Sequence, residues 1–502
     1  MSARGARRAR ERTSAANHSA QPSPEQLRRE NERLLRENEE LRRKVAEHER
    51  QLADAEKQIA DLERQLALRK RNSTNSSKPP SSDGLAGDPR PRGRKLKSRR
   101  KPGGQPGHAG HHRRLVPPGQ VSVVEVRLPS QCGHCNRKLP QNASQVRTQG
   151  EPRRHQVTEL PPVEPHITEY QFPNVVCGHC GKATRAPLPK EIAGHFGPQL
   201  AALIAYLTVV CRLPRRVVEG LLAQVLGIEI SLGSTQKCRE EASQAVAEPC
   251  QELERQLKDE SVLNVDETGW RTNGHKRFLW AFVAAHYVVY TVAATRGSQV
   301  LVHLLGAVFE GILCSDRFSA YLKYHSGKAQ FCWAHLKRNL LGVLEFTKSS
   351  AVEGFCRDAL AQHARLWRKF RGGQIDRRQL CLRSIPIQRR IVELAERHLD
   401  SPHRQVCNLA TALFVHNERL FLFLDEEAVE PTNNSVERAL RTGVQWRKIC
   451  FGNRSAAGEL ATARLLTVAE TCDLQQLNSL AYLAAAIACH RRRQPVTSLL
   501  PR

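Results

Sequence analysis

The chain of 502 residues, 40% of them hydrophobic, is long enough to hold several domains and too apolar to be disordered throughout. Its formal net charge of +28 predicts a polyanionic partner, because lysine and arginine bind nucleic-acid phosphates whatever the base sequence; ribosomal and membrane-surface proteins share this composition. No run of eighteen apolar residues and no secretory signal occurs, so we expect a cytoplasmic protein without a membrane partner.

The N-terminal region is expected to be a disordered basic tail over residues 1–23, followed by a long helix over residues 24–70. The helix start is marked by "SPEQ", in which Ser23 is the N-cap, Pro24 takes the first helical position and Gln26 completes a capping box. Glutamate and arginine fill the positions between its apolar residues. The segment therefore has the composition of a leucine-zipper coiled coil.

The apolar or seam-like residues of this helix recur at alternating steps of four and three over nearly six heptads. Asn31 and Asn38 share one seam position, which favours a parallel dimer in a fixed register. We therefore expect a homodimer or higher oligomer, against the alternative of a lone, solvated charged helix. The seam consists of Leu27, Asn31, Leu34, Asn38, Leu41, Val45, His48, Leu52, Ala55, Ile59, Leu62 and Leu66.

Residues 71–118 are rich in Pro, Gly, Ser and basic side chains and are predicted to form a basic flexible linker, since they cannot bury enough apolar surface to fold alone. Residues 85–115 hold ten Lys or Arg against the single acid Asp88. A flexible arm that follows DNA phosphates is the favoured interpretation, and a merely solvated linker is the alternative. The basic residues are Arg90, Arg92, Arg94, Lys95, Lys97, Arg99, Arg100, Lys101, Arg113 and Arg114.

Two identical "CGHC" tetrapeptides, Cys132 to Cys135 and Cys177 to Cys180, lie within residues 119–194. A thiol oxidoreductase would need a helix that begins at the first cysteine, whereas loops rich in proline follow both pairs. Four thiolates at this spacing predict a zinc ribbon with one structural Zn²⁺ and no open coordination position. The other cysteines are scattered among apolar residues, and disulfides are not indicated.

Residues 195–250 read as short helices and are predicted to form a helical, helix-turn-helix-like DNA-binding region. Arg215 and Arg216 begin the second helix, and Ser231 or Ser234 can cap the third. The connection "IEISL" is longer than the usual turn of that motif. An all-helical spacer is therefore the alternative.

Residues 251–470 are predicted to be a catalytic domain with the order of a ribonuclease H core: three strands, helix, strand, helix and strand. A helical insertion is expected at about 345–430, and residues 471–502 form a C-terminal helical segment. The first and fourth strands of that topology are neighbours at the sheet centre. Asp266 and Asp316 end these two strands, so their carboxylates are expected to converge. The fold class is thus a multidomain α+β protein.

A third carboxylate is expected near the strand ends, since two acids are too few to hold a pair of Mg²⁺ ions about 4 Å apart. Glu437 meets this need from the first turns of a helix for which Thr432, Asn433 and Asn434 offer caps. The following basic residues, expected to bind DNA phosphates, are Arg438, Arg441, Arg447 and Lys448.

Other interpretations of single residues remain open. Asp266 alone could be a turn residue, because aspartate hydrogen-bonds its own backbone, but the three acids at matched places favour catalysis. Glu267 is left out of the site, because it should point to the opposite face of the strand. His335 and Lys337 could contact phosphates, and a core or surface role is an equal alternative.

These stretches together resemble a DDE transposase of the IS66 insertion-sequence family over nearly the whole chain. The resemblance rests on "NSSKPPSSDG", "KPGGQPGH", the paired CxxC turns, "DETGW", "SDRFSAY", "CWAHLKR" and "NNSVERALR". It implies Asp266, Asp316 and Glu437 as catalytic triad and magnesium ligands, with Mg²⁺ or Mn²⁺ as catalytic cofactor. One departure is Trp446, where such proteins usually carry Gly.

The resemblance implies double-stranded DNA as partner, both as the terminal inverted repeats of the element and as its target, with the protein associated with a bacterial nucleoid. Cleavage and joining would follow a two-metal displacement at phosphorus. The alternatives are a DNA-binding regulator with an inactive core and a nuclease of the same fold that cuts without joining. Accessory proteins of the element are left open as further partners.

Overall fold

The computed structural model describes residues 23–69, 114–192, 194–347, 349–372 and 375–501 and is of mixed α and β class. It divides into two compact units, residues 1–83 with 337–361 and residues 84–336 with 362–502. The predicted tail up to residue 22 and the basic arm up to Arg113 lie outside the described residues. In the part of the chain described, no helix is both long enough and apolar enough for a bilayer.

Helix α1 (Pro24–Arg69) begins with the predicted capping box. The Gln26 backbone N–H donates to Ser23 Oγ at 3.2 Å, and the Ser23 N–H donates to Gln26 Oε1 at 2.9 Å. The apolar seam side chains are 46–63% exposed in the single chain, so a second surface would be needed to bury them. These side chains are Leu27, Leu34, Leu41, Val45, Leu52, Ile59 and Leu62.

The region that holds the two CGHC tetrapeptides, residues 119–192, has little regular structure beyond an antiparallel hairpin. The hairpin consists of β1 (Asn174–Val176) and β2 (Ala183–Arg185). The hairpin turn holds the second CGHC tetrapeptide. The first tetrapeptide lies in a similar turn, closed by a single bridge between Gln131 and Lys138.

A helical layer follows, with α2 (Pro198–Val209), α3 (Arg215–Leu226), α4 (Leu232–Ala245) and α5 (Ala247–Gln256). Ser231 caps α4, because its Oγ accepts from the Ser234 N–H at 3.1 Å. Ile204 and Ala242 are fully buried in the same core cluster as the central sheet. These helices therefore pack as part of the main core, while Arg215 and Arg216 are exposed at the start of α3.

The central sheet of the described chain has five strands, β3 (Val262–Thr272), β4 (His275–Val283), β5 (Val288–Ala293), β6 (Ile312–Ser315) and β7 (Ala329–Phe331). Their spatial order is β5, β4, β3, β6 and β7. The first three are antiparallel, and β6 and β7 run parallel to β3. The predicted succession of three strands, helix, strand, helix and strand is confirmed. In chain order the elements are β3, β4, β5, α6 (Gln299–Leu305), β6, α7 (Ser319–Tyr324) and β7.

The segment between β7 and Glu437 is mostly helical, as the sequence predicts. Its N-terminal end follows β7 directly, and its later helices flank the β7 edge, where Gln330 Nε2 donates to the Leu420 carbonyl at 3.1 Å. The helices are α8 (Trp333–Phe346), α9 (Ser350–Arg371), α10 (Arg377–Glu396), α11 (Arg404–Val415) and α12 (Asn417–Phe421).

The C-terminal helices α13 (Asn434–Cys450), α14 (Ala456–Leu474) and α15 (Ser479–Arg492) complete the core. α13 crosses the sheet closely at Gly443, where a Cβ atom would lie 2.3 Å from Leu279 Cδ2. α14 covers the β5 edge: Thr471 and Thr467 accept hydrogen bonds from the N–H groups of Val288 and Tyr290. The sheet edge is thereby closed to pairing with another strand.

Candidate active site

Three acids lie where the sheet meets α13. Asp266 is within β3, Asp316 directly follows β6, and Glu437 is in the first turn of α13. β3 and β6 pair in parallel with Asn264 opposite Cys314, so Asp266 and Asp316, two residues further along each strand, are level with each other. All three acids are half-buried.

The two aspartates also make short local hydrogen bonds. Asp266 Oδ1 accepts from the Glu267 N–H at 2.9 Å, and Asp316 Oδ1 accepts from the Phe318 N–H at 2.8 Å. Hydrogen bonds from nearby backbone N–H groups to an aspartate side chain are also typical of turns. They fix one oxygen of each carboxylate and so orient the groups.

The surroundings of Asp266 disfavour the ionised form of its carboxyl group. Burial, together with the carboxylates of Glu267, Asp316 and Glu437, raises the pKa of Asp266 well above its usual value. Among the described residues, the oxygens of Asp266, Asp316 and Glu437 do not all lie within 4.8 Å of one another.

Asn433 joins the two parts of the site. The Asn433 side-chain Nδ2 donates to the backbone carbonyl of Val265 at 2.9 Å. The backbone carbonyl of Asn433 accepts from the Glu437 N–H at 3.2 Å. The residue stands at the N-cap position of α13, but its side chain makes no capping bond, contrary to the sequence prediction. The Asn433 side chain instead bonds the buried Val265 carbonyl of β3. Asn433 therefore ties the strand of Asp266 to the helix of Glu437.

Cys332 and His335 lie beside Glu437, where α8 begins. His335 Nδ1 is 3.6 Å from Glu437 Oε1, and ligand atoms of the three residues all lie within 4.8 Å of one another. His335 is only 8% exposed, which favours the core role left open by the sequence over a phosphate contact. Burial raises the pKa of the Cys332 thiol to about 11.

A buried polar network around Glu267 was not predicted. The Glu267 side chain, 1% exposed, accepts from the Arg296 guanidinium and from the Tyr321 hydroxyl. Arg296 also stacks on Phe318, with its Cζ 3.9 Å from the ring centroid. The sequence predicted that Glu267 would point away from Asp266, yet its carboxylate helps to raise the pKa of Asp266. The network nevertheless reaches the site, because Arg296 also interacts with Asp316.

The basic residues after Glu437 divide into two groups. Arg438, Arg441 and Lys448 are exposed and recur at helical spacing on one face of α13. Arg447 is half-buried, and its guanidinium donates to the Gly269 carbonyl of β3. Of the predicted DNA-binding residues in the arm, Arg114 is described and exposed. The others, which lie outside the described residues, are Arg90, Arg92, Arg94, Lys95, Lys97, Arg99, Arg100, Lys101 and Arg113.

The two CGHC turns have matching backbone geometry. The N–H groups of Cys132 and Cys177 each donate at 2.9 Å to the carbonyl five residues later. In both turns, backbone N–H groups of the tetrapeptide lower the pKa of the first cysteine, which favours the thiolate that binds metal. Within the described residues, no three of these sulfurs lie within 4.8 Å of one another, so the two pairs are not brought together here.

Trp446, the departure from the expected pattern, is buried at the far end of α13. It packs edge to face on Trp270 of β3, with ring centroids 6.3 Å apart, and Arg239 lies over it at 5.5 Å. The larger side chain therefore joins α13 to the strand that carries Asp266.

Comparison with known proteins matches two regions of the chain. A family profile described as "Transposase IS66 family" covers residues 193–460, more than half of the chain and all three acids. A second, described as "Family of unknown function (DUF6444)", covers residues 19–114.

Two curated relatives come from Sinorhizobium fredii (strain NBRC 101917 / NGR234). "Uncharacterized protein y4qI" is 26% identical over 48% of this chain and 49% of its own length. "Uncharacterized protein y4jD" is 29% identical over 41% of this chain and 42% of its own length. The chain thus spans about half the length of the curated relatives it matches.

Proposed function

Because the chain belongs to the Transposase IS66 family, we propose that it is a DNA transposase that acts on the ends of its own insertion element. It binds the terminal inverted repeats and catalyses Mg²⁺-dependent strand cleavage and strand transfer by a DDE two-metal mechanism. The observation that carries the proposal is the level alignment of Asp266 and Asp316 on paired strands, with Glu437 electrostatically coupled to Asp266.

The chemistry of the donor set fits Mg²⁺. Asp266, Asp316 and Glu437 offer carboxylate oxygens, the ligands that this hard cation prefers. Burial and then the charges of Glu267, Asp316 and Glu437 raise the pKa of Asp266, and a bound divalent cation would stabilise its ionised form. Residue by residue, the three positions are those that the family resemblance implies.

The side chains have separate roles in this mechanism. When bound, Mg²⁺, or Mn²⁺ in its place, would activate a water or 3′-hydroxyl for attack and stabilise the departing 3′ oxygen. Asp266, Asp316 and Glu437 hold the ions. The exposed stripe of Arg438, Arg441 and Lys448 contacts DNA phosphates and positions the scissile strand beside Glu437.

The remaining segments support this role as accessory domains. The strand order of the central sheet supports a ribonuclease H-like catalytic domain over residues 251–470. The exposed seam of α1 supports a dimeric coiled coil, and the matching CGHC turns support a zinc ribbon. The basic arm and the helical region at 195–250, with Arg215 and Arg216 exposed, would add contacts to DNA.

The test is a cleavage assay on DNA that carries the inverted repeats flanking the gene. Asp266→Asn keeps the size of the side chain but removes the charge that holds Mg²⁺, so cleavage should fall by about two orders of magnitude or more, while binding to the ends persists. Asp473→Asn, a change at an exposed acid of α14, is the matched control and should cleave normally.

The outcomes separate the candidate functions. Cleavage by Asp266→Asn within a few-fold of the wild-type rate would mean that Asp266 is only a turn residue. A wild-type protein that binds the ends without cutting would be a regulator with an inactive core. Cutting without joining of a 3′ end to target DNA would identify a nuclease.

A further inference from the structure

The cluster of Cys332, His335 and Glu437 has the donor chemistry of a metal site of its own. Ligand atoms of the three residues lie within 4.8 Å of one another, on the turn after β7, the first turn of α8 and the first turn of α13. Cys332 and His335 are 2% and 8% exposed. Sulfur, nitrogen and oxygen donors are therefore gathered in a largely buried place.

Two backbone hydrogen bonds hold the cluster together. The Trp333 N–H donates to the Pro431 carbonyl at 3.0 Å, and the Asn433 N–H donates to Cys332 Sγ at 3.2 Å. They join the start of α8 to the start of α13 on both sides of the cluster. An N–H donor directed at the sulfur stabilises a thiolate, as outer hydrogen bonds do around metal-bound ligands.

The distances suit a tetrahedral ion. Bonds of about 2.3 Å to sulfur and about 2.1 Å to nitrogen or oxygen put ligand atoms roughly 3.3–3.6 Å apart. His335 Nδ1 and Glu437 Oε1 are already 3.6 Å apart, too far for a hydrogen bond between them. Asn433 Oδ1, buried and without a hydrogen-bond partner among the described residues, could accept from a water in the fourth position.

We propose that Cys332, His335 and Glu437 form a binding site for a thiophilic divalent cation such as Zn²⁺. Thiolate and imidazole select Zn²⁺ over Mg²⁺, which prefers oxygen ligands alone. The site is distinct from the CGHC turns, since it shares no residue with them. It does share Glu437 with the proposed catalytic triad, so Zn²⁺ bound here inhibits Mg²⁺-dependent cleavage; this second effect rests on the proposed function.

Zinc content of the full chain tests the site directly. Each protein is equilibrated with excess Zn²⁺, freed of loosely bound metal, and measured by elemental analysis. Cys332→Ser and His335→Ala should each hold about one Zn²⁺ per chain less than the wild type, because each removes one of three ligands. Cys472→Ser, which changes a buried thiol of α14 outside the cluster, should hold as much as the wild type. Equal zinc in all four proteins would overturn the proposal.

A second measurement covers the case in which Cys332→Ser and His335→Ala fail to fold. Co²⁺ bound in place of Zn²⁺ shows a sulfur-to-cobalt charge-transfer band in the near ultraviolet only when a thiolate is a ligand. In the chain with serine at all four positions Cys132, Cys135, Cys177 and Cys180, which removes the thiolates of the CGHC turns, a Co²⁺ spectrum with one thiolate ligand is expected. A spectrum without any thiolate band would contradict the site.

The inhibitory effect is tested by adding Zn²⁺ to the Mg²⁺ cleavage assay. Cys332→Ser should need at least about tenfold more Zn²⁺ than the wild type for the same fractional inhibition. Equal sensitivity would overturn the inhibitory role. If no protein cleaves DNA, the proposed function fails, while the zinc count still decides whether the site exists.

Discussion

The surroundings of Asp266 disfavour its ionised form, so the stability of the metal-free protein should depend on pH through this residue. Burial and neighbouring carboxylates raise its pKa in the folded chain, so the folded state binds the proton more tightly than the unfolded state does. Its contribution to stability therefore falls as the pH rises from the unfolded pKa, about 3.9, to the raised folded pKa. At neutral pH the charged side chain destabilises the fold.

Asp266→Asn should therefore stabilise the metal-free protein at neutral pH, although under the proposed function it lowers cleavage. The expected gain is about 0.5–2 kcal/mol, the usual size of a stabilising substitution, and it should disappear at pH 3, where the wild-type group is protonated in both states. Urea unfolding at the two pH values measures this. Mg²⁺ should raise the urea midpoint of the wild type only, and an Asn variant less stable than wild type at neutral pH would contradict the argument.

The residues of the site differ in how far sequence could predict them. Asp266 and Asp316 each end an apolar run that reads as a strand, and strand order alone makes those two strands neighbours. The partners of Glu267 carry no such signal, because Arg296 and Tyr321 lie 29 and 54 residues away along the chain. Nor could local propensity predict that Asn433 would bind the Val265 carbonyl instead of capping its helix.

At the scale of elements, the β5 edge of the sheet is closed by side chains rather than by another strand. Thr467 and Thr471 are one helical turn apart on α14, and their hydroxyls accept from alternate N–H groups of β5. The sequence predicted the strand from its apolar pattern. It did not predict this pairing, since threonine in a helix usually bonds its own backbone.

Thr471→Val should destabilise the protein, because it keeps the shape of the side chain but leaves the buried Val288 N–H without its acceptor. The expected cost is about 1–3 kcal/mol, the desolvation penalty of one unpaired buried group. The shift of the urea midpoint measures it. Thr471→Ser, which retains the hydroxyl, is the matched control and should lose less than Thr471→Val; a valine variant as stable as the serine variant would show that the hydrogen bond is dispensable.

The CGHC turns give the second prediction at this scale. Backbone N–H groups lower the pKa of Cys132 and Cys177, so their thiolates form readily and a single Zn²⁺ is expected to hold the two turns together. Cys132→Ser should lose about one Zn²⁺ per chain and make residues 119–194 sensitive to protease, since metal binding and folding are coupled in such domains. Cys211→Ser, outside the turns, is the control. Unchanged zinc content in Cys132→Ser would exclude the ribbon.

At the scale of the whole molecule, the proposed chemistry and the proposed self-association belong to different parts of the chain. The acids, the sheet and the helices that surround them lie within the matched transposase region, whereas α1 lies within residues 19–114, which match a family of unknown function. The formal charge of +28 is consistent with the proposed binding of DNA ends. Transposition joins two ends of one element, so a dimer that binds both ends would bring them together.

The last prediction concerns that dimer. The seam of α1 is exposed in the single chain, and burying it against a second copy would remove apolar side chains from water along nearly six heptads. Deletion of residues 1–70 should therefore reduce the mass in solution, measured by light scattering, by half or more. An unchanged oligomer after the deletion would assign self-association to another surface.

Two neighbouring leucines make the test specific to the seam. Leu34 occupies the seam and is 46% exposed, whereas Leu35 lies beside it and is 66% exposed. Leu34→Lys would place a charge inside the interface and should weaken self-association at least about tenfold, equivalent to about 1.4 kcal/mol. Leu35→Lys changes the chain's charge and helix propensity in the same way but leaves the seam intact, so it should dimerise much as the wild type does. Equal weakening by both substitutions would mean that general charge repulsion, and not a heptad interface, controls assembly.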